Sequence, residues 1–318
     1  MNILVTGGSG FIGSHFIEEF LKQNDVTKLY NLDANTYAAN KNLPFEKDSR
    51  YQKLTMDIAA ANFVSYKNYF ESLNLDYVVH FAAESHVDNS ITGPRKFVDT
   101  NIIGTFNLLE VFKQINIKKF IHVSTDEVFG SLSYKEREFN IDSPYRPNSP
   151  YAASKAASDL LVRSYVKTYK FPAIITNCSN NFGPRQFPEK LIPVCIDKLK
   201  KKEKIPLYGN GLNIRDWIYV KDHVNAIIHV IQDGIVGKQY LIGGNNEISN
   251  IQLIHSIVAV YETVTNQTVD WEWFEYVTDR KGHDFRYAID TKDFEMEFKN
   301  FKLTDFSENL KATVQSYL

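Results

Sequence analysis

Along the first half of the chain, short apolar runs alternate with longer stretches whose apolar positions recur at helical spacing. The runs at 3–6, 29–32, 77–81, 120–124 and 173–177 predict strands. Between them, residues 11–23, 62–73, 95–114 and 150–169 predict helices. Strand, helix, strand in repetition predicts βαβ units, hence an α/β fold with a parallel sheet covered on both faces. Crossovers in such a sheet are right-handed, and ligands gather beyond the carboxyl ends of its strands.

After about residue 178 the pattern breaks. Pro184, Pro188, Pro193 and Pro206, with Gly183, Gly209 and Gly211, divide the chain into short pieces. Helical spacing returns at 221–233 and 249–264, and aromatic residues gather at Trp271, Trp273 and Phe274. The stretch 131–149, rich in Ser, Pro and charge, predicts a surface loop. Neither a repeat nor a low-complexity segment interrupts the chain.

Composition narrows this picture mainly by exclusion. The 318 residues are enough for two domains and a real core. Lys and Arg total 36 against 38 Asp and Glu, so no basic excess marks a nucleic-acid partner. The densest basic run, Lys198, Lys200, Lys201, Lys202 and Lys204, follows a helix-like stretch and is expected as its solvated last turn. Cys178 and Cys195 form no C-x-x-C pair, which argues against a zinc site and suits a reducing, cytoplasmic setting. The first residues run directly into an apolar strand, so no signal peptide is expected, and no window has the ~20 apolar residues of a membrane span.

Candidate chemistry begins where the first strand meets Gly7-Gly8-Ser9-Gly10-Phe11-Ile12-Gly13. The run satisfies G-x-G-x-x-G through Gly8, Gly10 and Gly13, and G-x-x-G-x-x-G through Gly7, Gly10 and Gly13. Missing side chains let the backbone turn tightly and approach a pyrophosphate resting on the following helix. Asp33 closes the second strand about 20 residues later, where an acid binds ribose hydroxyls and repels a 2′-phosphate. NAD is therefore expected rather than NADP, with Asp57 as a further candidate near the adenine. These signals predict a Rossmann-like doubly wound domain over 1–178. A smaller C-terminal substrate domain is expected over 179–318, with some later segment returning to the main sheet.

The strand at 120–124 leads into Thr125-Asp126-Glu127, two adjacent acids beyond a buried parallel strand. Tyr151 and Lys155 follow within an Ala-rich helical stretch, and their i,i+4 spacing puts them on one face. A neighbouring ammonium favours phenolate, so Tyr151 is expected to have a lowered pKa and to serve as a base.

The glycine loop, Ser124-Thr125 and Tyr151-x-x-x-Lys155 together resemble the extended short-chain dehydrogenase/reductase family. Within it, Thr125-Asp126-Glu127 resembles the nucleotide-sugar 4,6-dehydratases, above all those acting on dTDP-glucose. Further stretches carry the likeness along nearly the whole chain: Phe81 to Asp88, Cys178 to Pro184, Pro188 to Pro193, Arg215-Asp216-Trp217 and Asp279 to Asp284. The chain departs from the family at Asn89 and Phe285, where arginine is common. Arg185 stands for an aromatic or His, and Lys281 for a frequent proline.

The resemblance implies a hydro-lyase reaction around one bound NAD, with Thr125, Asp126, Glu127, Tyr151 and Lys155 as the catalytic set. To NAD it assigns Gly7, Gly10, Phe11, Ile12 and Gly13 in the loop, then Asp33, Asn35, Thr36, Asp57 and Ile58. Phe81, Ala82, Ala83, Ser85, Thr100 and Asn181 join Tyr151 and Lys155 on the same ligand. To the nucleotide sugar it assigns Ser85, His86, Thr125, Asn180, Lys190 and Leu191, then Pro206, Tyr208, Arg215, Asn250, Arg280 and His283. Arginines suit a diphosphate because guanidinium pairs bidentately with phosphate oxygens; an ion pair with Asp216 is the alternative for Arg215. No metal is expected. The sugar nucleotides weighed are dTDP-glucose, UDP-glucose and a UDP-N-acetylhexosamine. A UDP-sugar 4-epimerase and a catalytically silent NAD sensor are the competing functions. Helices 95–114 and 150–169 are apolar on more than one face, and with the resemblance this implies a homodimer.

Overall fold

Six strands of the computed structural model, which describes residues 1–318, alternate with helices up to Cys178. They are β1 (Asn2–Thr6), β2 (Lys28–Asp33), β3 (Tyr51–Thr55), β4 (Tyr77–His80), β5 (Lys119–Thr125) and β6 (Ala173–Cys178). Six more follow: β7 (Asn180–Phe182), β8 (Ile205–Tyr208), β9 (Ile214–Tyr219), β10 (Gln239–Ile242), β11 (Glu247–Ser249) and β12 (Phe274–Val277). The main sheet runs β10-β6-β5-β4-β1-β2-β3, and each pairing is parallel. Its inner strands are buried on both faces, which is why they read as unbroken apolar runs rather than alternating ones.

Strand order reverses between β1 and β4, so the loops after these two strands diverge and leave a crevice at their carboxyl ends. One face of the sheet packs Phe16, Ile17 and Phe20 with Val224, Ile227 and Ile231. The other packs Leu108, Leu109, Phe112, Val162 and Tyr165. A third core, around Phe182, Ile196, Trp217, Leu253, Ile257 and Val314, supports the later segments. There β11, β9 and β7 form one small sheet, and β12 pairs with β8.

Several boundaries differ from expectation, each for a local reason. The expected helix at 95–114 is three pieces, with π-helical geometry over Val98–Gly104 between Arg95–Phe97 and Thr105–Phe112. Gly104 lies against Ile58, and a Cβ there would come within 2.6 Å of that side chain. The expected helix at 62–73 begins as a 3₁₀ turn, Phe63–Tyr66, before Lys67–Ser72. β3 shows little apolar signal because it is the outer edge and buries only Leu54. The 131–149 stretch is a loop held by isolated bridges, Leu132 to Arg286 and Phe139 to Ile289. The basic run does cap the helix Leu191–Lys201, where Lys198 and Lys201 pair with Glu203 and Asp197. No helix is long and apolar enough to cross a membrane, and no cluster of His, Cys, Asp or Glu could hold a metal ion.

Candidate active site

Beyond β1, β2, β4, β5 and β6 lies a cavity of about 570 Å³ that crosses the point where strand order reverses. At one end the glycine loop forms the wall. Gly7 has φ +70°, and a Cβ on it would stand 2.6 Å from Ala82 N. A Cβ on Gly13 would reach 2.3 Å from Gly7 O, so the first turn of the helix Phe11–Phe20 must pass close over the loop. Gly10 caps that helix without a side chain, leaving its amides open to an anion. Gly8 does not line the cavity; it lets Asn31 and Ile17 approach from behind. The loop therefore works through the G-x-x-G-x-x-G spacing.

Asp33 ends β2 at the cavity wall, accepting from Ser9 N (2.9 Å) and Asn35 N (2.8 Å). Thr36, Asp57, Ile58, Phe81, Ala82, Ala83, Ser85, Thr100 and Asn181 line the same cavity. Asn35 does not. Its amide supports Asp33 and its side chain reaches Thr55 Oγ1 at 3.2 Å. A cradle of three glycines, an open helix end and a carboxylate at the second strand end suits a dinucleotide carrying free ribose hydroxyls.

The far end of the cavity is acidic. Thr125 closes β5, and its Oγ1 accepts from Glu127 N, turning the chain into the 3₁₀ segment Asp126–Phe129. Asp126 is almost fully buried, with Oδ1 on Thr125 Oγ1 (3.3 Å) and Oδ2 without a partner. Burial, then the Glu127 and Asp216 carboxylates, push its carboxyl well above the usual range. Glu127 is raised too, chiefly by burial, but Lys190 and Arg215 pull it back. Both carboxyls are thus raised, Asp126 the further of the two.

Tyr151 and Lys155 line the cavity from the helix Pro150–Tyr169, opposite the acids. The expected lowering of the tyrosine pKa is not found. Burial and the Glu127 carboxylate push the phenol well above its usual value, with a hydrogen bond to Thr125 opposing them. Lys155 Nζ instead donates to Val123 O at 2.9 Å, so its proximity along the helix does not translate into a charge on the phenol.

Of the positions assigned to the nucleotide sugar, Ser85, Thr125, Asn180 and Lys190 line this cavity, and the rest lie outside its lining. Leu191 starts a helix, while Pro206 and Tyr208 stand on β8. His86 stands 4.0 Å from Asp88 and from Glu189. Arg280 pairs with Asp88 at 2.7 Å and lies over the Tyr208 ring at 4.8 Å. His283 pairs with Asp279, and Asn250 N donates to Asn213 O. Arg215 makes no ion pair with Asp216, whose oxygens accept from Gly244 N and Asn246 N. Its guanidinium lies 4.2 Å over Tyr287 and donates to the Ile214, Asp284 and Phe285 carbonyls.

Tyr287 is a residue the sequence did not single out. Its hydroxyl donates to Asp284 Oδ2 (2.5 Å) and stands 3.5 Å from Glu127 Oε2. No spacing rule points to it, because it reaches the acids from 160 residues away. Cys178 and Glu189 also line the cavity, within stretches that carried the family likeness. Among the departures, Arg185 donates to Glu18 and to His15 Nδ1 (2.8 Å), tying the loop after β7 to the helix Phe11–Phe20. Asn89 donates to the Tyr37 hydroxyl at 3.1 Å.

The model of the family described as GDP-mannose 4,6 dehydratase matches residues 4–313. The dTDP-glucose 4,6-dehydratase of Haemophilus influenzae is 44% identical over 334 residues, covering 100% of this chain and 98% of the relative. A crystal structure of the Streptomyces venezuelae dTDP-glucose 4,6-dehydratase, solved with NAD and dTDP, superposes with a TM-score of 0.92 and 40% identity. It covers 100% of this chain and 97% of that one. A UDP-glucuronic acid 4-epimerase from Bacillus cereus shares the fold at TM-score 0.89 but only 25% identity, over 100% and 99% of the two chains.

Proposed function

The chain belongs to the family of GDP-mannose and dTDP-glucose 4,6-dehydratases, and from that premise we propose how its residues carry out the reaction. It is an NAD-dependent hydro-lyase that converts dTDP-glucose to the 4-keto-6-deoxy sugar nucleotide and water. NAD, held by the Gly7/Gly10/Gly13 cradle and Asp33, supplies the chemistry of taking a hydride from C4 and giving it back to C6.

The protein's own groups move the protons. As its phenolate, Tyr151 takes the proton of the sugar 4-hydroxyl and becomes the phenol that burial beside Glu127 favours, and Thr125 Oγ1 holds that oxygen. Once C4 is a ketone, the C5 proton is acidic; Glu127 takes it and returns it to C5 when the hydride reaches C6. Asp126 gives its proton to the C6 hydroxyl, which leaves as water. Elimination needs one carboxyl protonated and the other ionised at once, and burial beside each other separates the two in that sense. Lys155 holds the ribose on the nicotinamide side. Asn180, Lys190, Leu191 and the segments carrying Pro206, Tyr208, Arg215, Asn250, Arg280 and His283 hold the nucleotide. Their arginines exchange their present partners for phosphate oxygens.

The observation that carries this reading is the Asp126–Glu127 pair at the end of β5, facing Tyr151 across one cavity. Mass spectrometry of products from a panel of dTDP-, UDP- and GDP-sugars tests it. Loss of one water from dTDP-glucose, faster than from the others, is the expected result. A C4 epimer without water loss would overturn it.

The working unit is proposed to be a homodimer. Val98, Ile103 and Phe106, with Leu160 from the adjacent helix, remain exposed on one side of the main sheet. A second copy of the same face would cover them.

A further inference from the structure

The helix Pro150–Tyr169 carries more than the Tyr151–Lys155 pair. Asp159 follows at the same interval, so one face presents phenol, ammonium and carboxylate in successive turns. Lys155 is 4% exposed and Asp159 is 0% exposed. The ammonium of Lys155 donates to a single carbonyl, Val123 O, and a carbonyl dipole alone compensates a buried charge poorly.

Asp159 is held from several sides. His122 Nε2 stands 3.0 Å from Oδ1, and the Tyr145 hydroxyl and Asn177 Nδ2 both donate to Oδ2 at 3.0 Å. Asn177 Nδ2 also donates to Thr125 O at 3.0 Å. Gln239 Nε2 joins Asn177 Oδ1 (2.8 Å) to the Tyr145 hydroxyl (3.1 Å). Groups from β5, β6, β10 and the loop before the helix thus fix one carboxylate that does not itself line the cavity.

The other groups facing Lys155 offer no opposing charge. Tyr151 on the same helix is a phenol pushed well above its usual range by burial. His80 from β4 and His122 from β5 are held below the usual imidazole range, by burial first and then by neighbouring cationic groups including Lys155. Burial lifts the Cys178 thiol on β6 to about 12. Asp126, just after β5, has its carboxyl raised well above the usual range by burial first. Burial pulls Lys155 itself down, and Asp159 is the first group pulling it back.

We infer that Asp159, one turn along the same buried helix face and paired directly with His122 rather than with Lys155, supplies the negative charge that keeps Lys155 an ammonium, a positioning residue acting on the Tyr151–Lys155 pair without touching substrate. The inference rests on that pair working as proposed above. With the carboxylate removed, the main group opposing desolvation of Lys155 is gone, and the lysine loses its proton at lower pH.

The test is the pH profile of kcat for the NAD-loaded enzyme with dTDP-glucose. In Asp159→Asn the alkaline limb moves down by about 1 pH unit, while the plateau below it stays within about tenfold of wild type. Tyr145→Phe removes one hydrogen bond but keeps the charge, so it lowers Tm and leaves the limb in place. Asp159→Glu returns the limb to its wild-type position. An unmoved limb in folded, NAD-loaded Asp159→Asn overturns the inference. Should that variant fail to fold, NMR titration of 13Cε-labelled Lys155 in the wild-type holoenzyme decides. An ammonium persisting through about pH 8 upholds it, and a neutral amine at about pH 7 overturns it. A wild-type enzyme that does not dehydrate dTDP-glucose would instead sink the functional reading beneath it.

Discussion

At the scale of single residues, the role proposed for Asp126 sets function against stability. Its folded-state pKa is raised, chiefly by burial, so the native protein holds a proton that the unfolded chain releases above its ordinary carboxylate pKa. The unfolded state therefore binds fewer protons through that window, and stability falls as pH rises. Asp126→Asn removes this slope. Its Tm should exceed that of wild type at pH 7 to 8 and converge with it near pH 4, while dehydration falls by about 10²–10⁴-fold. Thermal melts across pH, run beside turnover assays, check both halves; a variant less stable than wild type at pH 8 would contradict the account. Gly13→Ala tests the other end of the cavity. A Cβ there meets Gly7 O at 2.3 Å, so we expect loss of bound NAD, read from the absorbance of the purified protein.

The residues proposed as catalytic were legible in the sequence as candidates because each sits at a strand end or on a helix face with fixed spacing. Their charge states were not. The phenol of Tyr151 responds to Glu127 across the cavity, and no spacing along the helix conveys that distance.

At the scale of elements, the inner strands were legible because burial on both faces leaves an apolar run. β3 was not, since an edge strand with Gln52 and Lys53 exposed carries no such signal. The interruption at Val98–Gly104 was hidden as well. Every residue in it is compatible with an α-helix, and the extra turn is decided by packing against Ile58 and the 84 loop. There Asn101 bonds Glu84 N and O and the Ser154 hydroxyl, so the irregular turn ties the cavity wall to the helix Pro150–Tyr169. A clearer local device is the capping box on Asn250–Thr265, where Ser249 and Gln252 bond reciprocally. Ser249→Ala should cost about 1 kcal/mol in urea melts without changing the product formed. A loss above about 3 kcal/mol would mean that this end does more than cap a helix.

For the whole molecule, the strand order and the crevice followed from alternation and chain topology, while the return of β10 to the main sheet was foreseen only as an unspecified later segment. Assembly and cofactor retention belong to this scale. Light scattering should give about twice the 36.6 kDa chain mass, and Phe106→Asp with Leu160→Asp should give the monomer. A monomeric wild type would contradict the proposed pairing. Because each turnover regenerates the oxidised cofactor, the purified protein should carry NAD and consume no external NADH in step with product. Stoichiometric NADH consumption would contradict that.

The position of β10 has a consequence for how the chain is made. It pairs with β6, yet 60 residues separate Cys178 from Gln239, and the small sheets are begun in between. During synthesis the free edge of β6 stays unsatisfied until residue 242 has left the ribosome, long after the glycine loop, Asp126 and Glu127 are out. An exposed parallel edge at that stage is the part of the nascent chain most prone to pairing with a neighbour. Translational arrest between 178 and 239 is thus the interval in which aggregation should be greatest.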